Sequence, residues 1–125
     1  MRIEEYFSDI KSSLNVSPVI ASYSVTEEFA KEIGGYIRIK ASLVNSDFLD
    51  LFIYATVEVE LNVQKYSFHW HSKKGNLRKR WDNSPHHREI RTFPHHLHIG
   101  DKVVPCAHVD FSEVLNEITA TIYRE

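Results

Sequence analysis

The chain has 125 residues and a formal net charge of −2, and 42% of its residues are hydrophobic. This composition is ordinary for a soluble globular protein, and the length predicts one domain spanning residues 1–125. No stretch approaches the roughly 18 apolar residues of a membrane span, and a single cysteine, Cys106, excludes an internal disulfide. The N-terminal segment is acidic and amphipathic rather than a signal-peptide core, so we expect a cytoplasmic protein.

Positive charge is concentrated in one part of the chain. Residues 65–102 contain nine basic and three acidic residues, a net charge of +6 before any histidine is protonated, whereas the remainder carries −8. A basic segment on a weakly acidic chain suits a phosphate-bearing ligand. It suits an acidic protein partner equally well.

The first third of the chain predicts a helix followed by a strand. Apolar residues recur at helical spacing from Ile3 to Leu14, before Asn15 and Pro18 end the pattern. Residues 19–25 alternate as a strand does. Residues 27–33 then favour a short helical or extended turn, which ends at two glycines.

Four more strand patterns follow along the chain. They span residues 36–44, 51–62, 66–71 and 77–81, and the second of them is the longest. The turn at residues 73–76 contains the glycine that a positive φ requires.

A long loop, residues 82–100, precedes a C-terminal helix. Asp110 is a good N-cap with Glu113 at the third helical position, and one apolar stripe continues from Phe111 to Ile122. The predicted fold is therefore α+β: a four- to five-stranded, mainly antiparallel sheet with the N- and C-terminal helices packed on one face.

Histidines are concentrated in one segment, residues 80–98. It holds five of the eight histidines in two Pro-His-His units and one following position: His86, His87, His95, His96 and His98. Histidine donates protons, accepts protons or binds metals near neutral pH. The density of the cluster predicts a functional site.

Strand alternation predicts which polar residues accompany this loop. If the helices cover the face that carries Phe68 and Trp70, the uncovered face, here called the open face, carries polar side chains of several strands. These are Glu58, Glu60, His69, His71, Arg78, Arg80 and Asp82.

Two chemistries fit this set of residues. In metal-independent phosphodiester cleavage, histidines among His86, His87, His95, His96 and His98 move protons and Arg80 stabilises charge on the phosphate. Asp82 and Asn83 then shape the loop, and Glu58, Glu60, His69 and His71 support binding. In the alternative, His96 and His98 with Asp82 hold a transition metal such as zinc. The first chemistry requires no cofactor.

The motifs in this region resemble a known family. The resemblance rests on Glu58, the aromatic run 66–70, the segment Arg80–His87 and the segment Thr92–His98, which contains the second Pro-His-His unit. This pattern is similar to the TumE family of proposed toxins of prokaryotic toxin–antitoxin systems, although Ser84 stands where alanine is usual. The resemblance implies a small cytoplasmic toxin encoded with an antitoxin.

The predicted layout is also similar to that of small α+β toxins that cleave mRNA, a likeness at fold level only. The sequence therefore predicts a toxin that acts as an endoribonuclease, with a cognate antitoxin as partner, RNA or the ribosome as target, and no membrane association. The alternatives are a metal-binding or regulatory module without turnover, and a pure interaction protein.

Overall fold

A computed structural model describes all residues, 1–125. The chain begins with helix α1 (Ile3–Val16) and ends with helix α2 (Phe111–Arg124). Between them lie β1 (Ile20–Ala30), β2 (Gly34–Leu43), β3 (Phe48–Val57), β4 (Leu61–His71), β5 (Leu77–Asp82), β6 (His96–Ile99) and β7 (Lys102–Pro105).

The seven strands form one antiparallel sheet in which each strand pairs with its neighbours in the chain. The α+β class and the antiparallel sheet are confirmed. The predicted number of four to five strands is wrong, because the sheet has seven.

The first difference lies at residues 27–33, where the sequence favours a turn. Instead β1 continues to Ala30, and the turn is confined to residues 31–33. Pairing with β2 supplies the backbone partners, and Phe29 stacks on Tyr36 across the strands with ring centroids 5.7 Å apart. Cross-strand pairing thus outweighs local helical preference.

The second difference lies in the predicted strand Leu51–Asn62, which is in fact two strands. β3 ends at Val57, residues 58–60 turn, and Val57 pairs with Leu61 of β4. The alternating Val57, Val59 and Leu61 imitate one continuous strand, yet Val59 is fully exposed at the turn. Residues 58–60 include no glycine, proline or asparagine, the residue types that indicate a turn, so the sequence did not predict this turn.

The third difference lies in the predicted loop 82–100. Its last part is β6, which turns at Gly100, where φ is +58°, into β7. Both strands have only four residues, below the length at which periodicity identifies a strand. The loop proper is therefore residues 83–95.

One face of the sheet packs against both helices. Alternate residues of β2, β3 and β4 are buried, and they form one core of 21 residues with the apolar stripes of α1 and α2. Phe68 of β4 contacts Phe111 of α2, with ring centroids 5.6 Å apart. Burial of this face leaves the intervening side chains of the same strands on the open face.

The N-terminal end of α1 packs closely on the start of β2, next to the β1–β2 turn. A Cβ atom placed on Gly35 would lie 2.3 Å from the carbonyl oxygen of Phe29 and 2.9 Å from Ile3 Cγ2. Glycine is therefore required at this approach. Neither helix, at 14 residues each, has the length and apolar character needed to span a membrane.

Candidate functional site on the open sheet face

Strand register lines up a row of charged and imidazole side chains across the open face. Lys40 pairs with Asp50, Asp50 with His69, His69 with Arg80, and Arg80 with His98. Five adjacent strands at a spacing of about 4.8 Å make this row about 19 Å long. Directly paired side chains on one face interact, so the row is a continuous polar surface.

Asp82 lies two residues beyond Arg80 at the end of β5, and its buried carboxylate is the centre of the site. Its side chain is only 4% exposed. Oδ1 accepts a hydrogen bond from the Ser84 amide at 3.0 Å and lies 2.9 Å from His96 Nε2, and Oδ2 accepts a hydrogen bond from Arg80 Nε at 2.9 Å. Hydrogen bonds from cationic groups offset the cost of burying a carboxylate.

His96 is fixed by both of its ring nitrogens. Nδ1 lies 2.9 Å from the carbonyl oxygen of Pro94, and Nε2 lies 2.9 Å from Asp82 Oδ1. The His96 side chain is 2% exposed, so its role in this arrangement is to position Asp82 and the loop.

His98 is more accessible and lies against Arg80. Arg80 Nη2 is 3.1 Å from His98 Nε2, and because a guanidinium only donates, Nε2 presents its lone pair. Burial, followed by the charge of Arg80, lowers the pKa of His98 below its ordinary value. His98 is therefore neutral at pH 7 and able to accept a proton.

His87 reaches the same place from the loop. Its ring centroid lies 5.3 Å from that of His96 and 5.7 Å from that of His98. The backbone of His87 has a φ of +59°, a left-handed conformation that a histidine rarely adopts. Such strain is held only by surrounding structure, and it concentrates at functional sites.

A second imidazole group adjoins the row on β4. His69 and His71 have ring centroids 4.8 Å apart, and His71 Nε2 lies 3.1 Å from Asp50 Oδ2. Burial, with the charges of His71 and Arg80, lowers the pKa of His69. Sequence reasoning missed Asp50, although its position between the buried Leu49 and Leu51 was a usable signal.

Arg80, Asp82, His87, His96 and His98 are here called the constellation. The remaining loop residues lie outside it. His95 is on the core side of the sheet, where its Nδ1 shares a hydrogen bond with Tyr66 Oη at 2.9 Å; burial raises the pKa of Tyr66, so the phenol keeps its proton. The side chain of His86 is exposed. Asn83 is bonded to the backbone of β4, accepting from the Tyr66 amide and donating to the Gln64 carbonyl.

The structure does not bring Glu58 and Glu60 to the histidines. Both are exposed in the β3–β4 turn, eight and ten residues beyond Asp50. At about 3.3 Å per residue, Glu58 is on the order of 26 Å from the row. Glu58 instead lines a cavity of about 920 Å³ whose lining residues include no histidine.

The basic segment of the sequence is not one basic patch. Three of its cations are in ion pairs: Arg78 with Asp47 and Glu125, Lys79 with Glu117, and Arg80 with Asp82. The prediction that Arg78 lies on the open face is wrong, because an irregularity in the β4–β5 register turns it over the ring of the buried Trp70. Arg88 and Arg91 are exposed on the loop. Positive charge near the site therefore comes from this loop and from Lys40 of β2, which lies outside the basic segment.

A comparison with protein families supports a toxin role. The family described as Toxin TumE matches residues 6–122. The chain belongs to the TumE toxin family. Searches of curated proteins and of solved structures found no significant match.

The two Pro-His-His motifs of this TumE chain contribute in the same way to the geometry. The second histidine of each unit, His87 and His96, joins the constellation, whereas the first, His86 and His95, does not. The first motif segment also supplies Arg80 and Asp82, and the second supplies His98. Two separate parts of the sequence thus form two sides of one site.

We expect Asp82→Asn to lower the free energy of unfolding by about 3 kcal/mol. Whichever way the new amide turns, its NH2 group would face a donor, either the Arg80 Nε–H or the Ser84 N–H, and the buried negative charge that pairs with Arg80 would be lost. Asp101→Asn, at an exposed turn residue, is the matched control and should change stability by less than about 0.5 kcal/mol. Urea unfolding measures both, and equal effects would contradict a central role for Asp82.

We expect the rings of His98 and His95 to titrate below the ordinary histidine pKa of about 6.5, and NMR can measure both. Burial is the first cause for each, followed by Arg80 for His98 and by His108 for His95. Arg80→Gln should therefore raise the pKa of His98 but not that of His95, and His108→Gln should raise the pKa of His95 but not that of His98. If both variants moved both rings, or neither, these assignments would be wrong.

Proposed function

We propose that this TumE-family chain is the toxin of a toxin–antitoxin pair and that it cleaves RNA on the open face. The observation that carries the proposal is the Arg80–His98 pair, a guanidinium and a neutral imidazole 3.1 Å apart on adjacent strands. An anion-binding group beside a proton acceptor is what phosphodiester cleavage requires. The cognate antitoxin is the proposed protein partner.

Arg80 is suited to bind the scissile phosphate. Its Nε is engaged by Asp82 and its Nη2 by His98, while Nη1 makes no hydrogen bond and the side chain is 40% exposed. The ion pair with Asp82 holds the guanidinium in one orientation, so little ordering is needed when a phosphate oxygen arrives.

His98 and His87 are the proposed proton carriers. When Arg80 Nη2 turns from His98 to a phosphate oxygen, the freed Nε2 lone pair of His98 takes the proton of a ribose 2′-hydroxyl, and the O2′ oxygen attacks the phosphorus. The P–O5′ bond breaks, and His87 delivers a proton to the leaving O5′ oxygen. The products are a 2′,3′-cyclic phosphate and a 5′-hydroxyl end, and Arg80 stabilises the charge on the non-bridging oxygens in between.

The surroundings offer further contacts for a nucleic acid. Lys40 at the end of the row, and Arg88 and Arg91 on the loop, add positive charge for the backbone of the RNA. A groove of about 450 Å³ adjoins the row and is lined by Phe48 and His71, whose rings stack 5.6 Å apart. Aromatic faces of this kind accept unpaired bases.

A metal-binding module built on the loop histidines is the second candidate. It is favoured by the ring nitrogens of His87, His96 and His98, which lie within 4.8 Å of one another. Arg80 weighs against it, since its guanidinium already donates to His98 Nε2 and shares Asp82. A divalent cation at that point would face a fixed positive charge at close range.

Expression of the protein and its variants from a tightly repressed promoter tests the proposal. We expect the wild-type chain to arrest growth and to leave RNA ends with 5′-hydroxyl groups. His98→Gln should lower the cleavage rate by about 10²- to 10⁴-fold, and Arg80→Lys, which keeps the charge but loses the planar fork, by at least about tenfold.

His86→Gln is the matched control, because His86 belongs to the same motif but its side chain is exposed and away from the constellation. It should remain as active as the wild-type chain. Intact RNA in cells expressing the wild-type chain would contradict the proposal. So would equal cleavage by the His98→Gln and His86→Gln variants.

A further inference from the structure

We propose that Asp50, His69 and His71 form a binding site for a divalent transition-metal ion, separate from the Arg80–His98 pair. One ligand atom from each residue lies within 4.8 Å of the others. The site lies across β3 and β4, two strands in the interior of the sheet. It does not depend on RNA cleavage.

The contact between Asp50 and His71 has the spacing of two ligands on one ion. His71 Nε2 and Asp50 Oδ2 are 3.1 Å apart. Two atoms bonded at roughly 2.1 Å to the same ion, with an angle of 90° to 109° between the bonds, lie about 3.0 to 3.4 Å apart. The observed separation falls inside this interval.

The other nitrogen of His71 is already arranged as in metal-binding histidines. Nδ1 lies 3.3 Å from the carbonyl oxygen of Ser72. A ligating histidine commonly donates its second ring N–H to a backbone carbonyl, which fixes the tautomer and directs the other lone pair to the metal. In that tautomer the Nε2 lone pair faces Asp50 Oδ2 at 3.1 Å, so the two atoms are placed as two ligands of one ion.

His69 completes the set and has no competing partner. Its ring forms no hydrogen bond in the structure, and it lies 4.8 Å from the His71 ring, centroid to centroid. Asp50 is its direct cross-strand neighbour, so both side chains leave the same face at the same level of the sheet. A small side-chain rotation brings the ring nitrogen of His69 to the ion.

Charge distinguishes this site from the loop histidines. Asp82 is shared by Arg80 and His96, whereas the only ion-pair partner of Asp50 is His71. The carboxylate of Asp50 is thus available to offset the charge of a metal. Asp50 and His71 also line the groove of about 450 Å³, which gives the ion a path from solvent and leaves positions for water or a phosphate oxygen.

The donor set defines the class of ion. Two imidazole nitrogens and one carboxylate oxygen suit zinc and the neighbouring first-row divalent ions, whereas magnesium and calcium prefer oxygen ligands. Three protein ligands leave the coordination incomplete, which is the arrangement of ions that also bind an external ligand.

Isothermal titration of chelator-stripped, tag-free protein with Zn²⁺ tests the proposal. We expect one equivalent to bind. Removing a residue that only hydrogen bonds to a metal ligand already weakens metal binding by about tenfold or more. Asp50→Asn and His69→Gln remove ligands themselves, so each should weaken Zn²⁺ binding by at least about tenfold. His86→Gln and His87→Gln are the controls and should bind Zn²⁺ like the wild-type chain.

Asp50 is half-buried on β3, and Asp50→Asn keeps the size of its side chain. Circular dichroism verifies that each variant is folded. Absence of Zn²⁺ binding to the wild-type chain would overturn the proposal. It would also be overturned if Asp50→Asn and His69→Gln bound normally, or if binding were lost in His87→Gln, which would assign the ion to the loop. Because the measurement involves no RNA, it can fail while the proposed cleavage stands, and the reverse.

Discussion

The buried carboxylate of Asp82 is the constraint on which the site depends. It lies at the end of β5, accepts hydrogen bonds from Arg80 on its own strand and from the Ser84 amide at the start of the loop, and lies 2.9 Å from His96 Nε2 on β6. A carboxylate buried in this way is tolerated only when it is fully hydrogen bonded. Each of its partners is therefore held in place, and Arg80 and the loop are oriented before any ligand binds.

The sheet and the loop contribute differently to the proposed chemistry. Strand pairing fixes Asp50, His69, Arg80 and His98 in one row, because antiparallel register leaves no freedom in which residues are opposite. His87 comes from the loop in a left-handed conformation, and its ring lies 5.7 Å from that of His98, centroid to centroid. Groups on rigid elements can bind and orient a phosphate, while the loop supplies the group that acts on the leaving atom.

The sequence was a good guide where a pattern was long or a motif was specific. It predicted both helices, the antiparallel α+β class and the face that carries His69, Arg80 and Asp82, because burial on one face enforces alternation. It failed at Val57–Leu61, where alternating residues conceal a turn, and at the short strands β6 and β7. It could not separate His87 and His96 from His86 and His95, because equal motifs acquire different surroundings only through tertiary packing. Asp50 was overlooked because it lies far from the histidines in sequence, although register makes it their neighbour.

The central claim is that RNA binds at Arg80 and His98 on the surface that Asp82 organises. NMR chemical-shift mapping with a short 2′-O-methyl oligoribonucleotide, which cannot be cleaved through its 2′ oxygen, tests this most directly. We expect the side-chain signals of Arg80 and His98 to shift on binding, and the affinity to fall at least about tenfold in Arg80→Gln. Shifts confined to the separate cavity lined by Phe29, Tyr36 and Tyr54, with unchanged affinity in Arg80→Gln, would contradict the account.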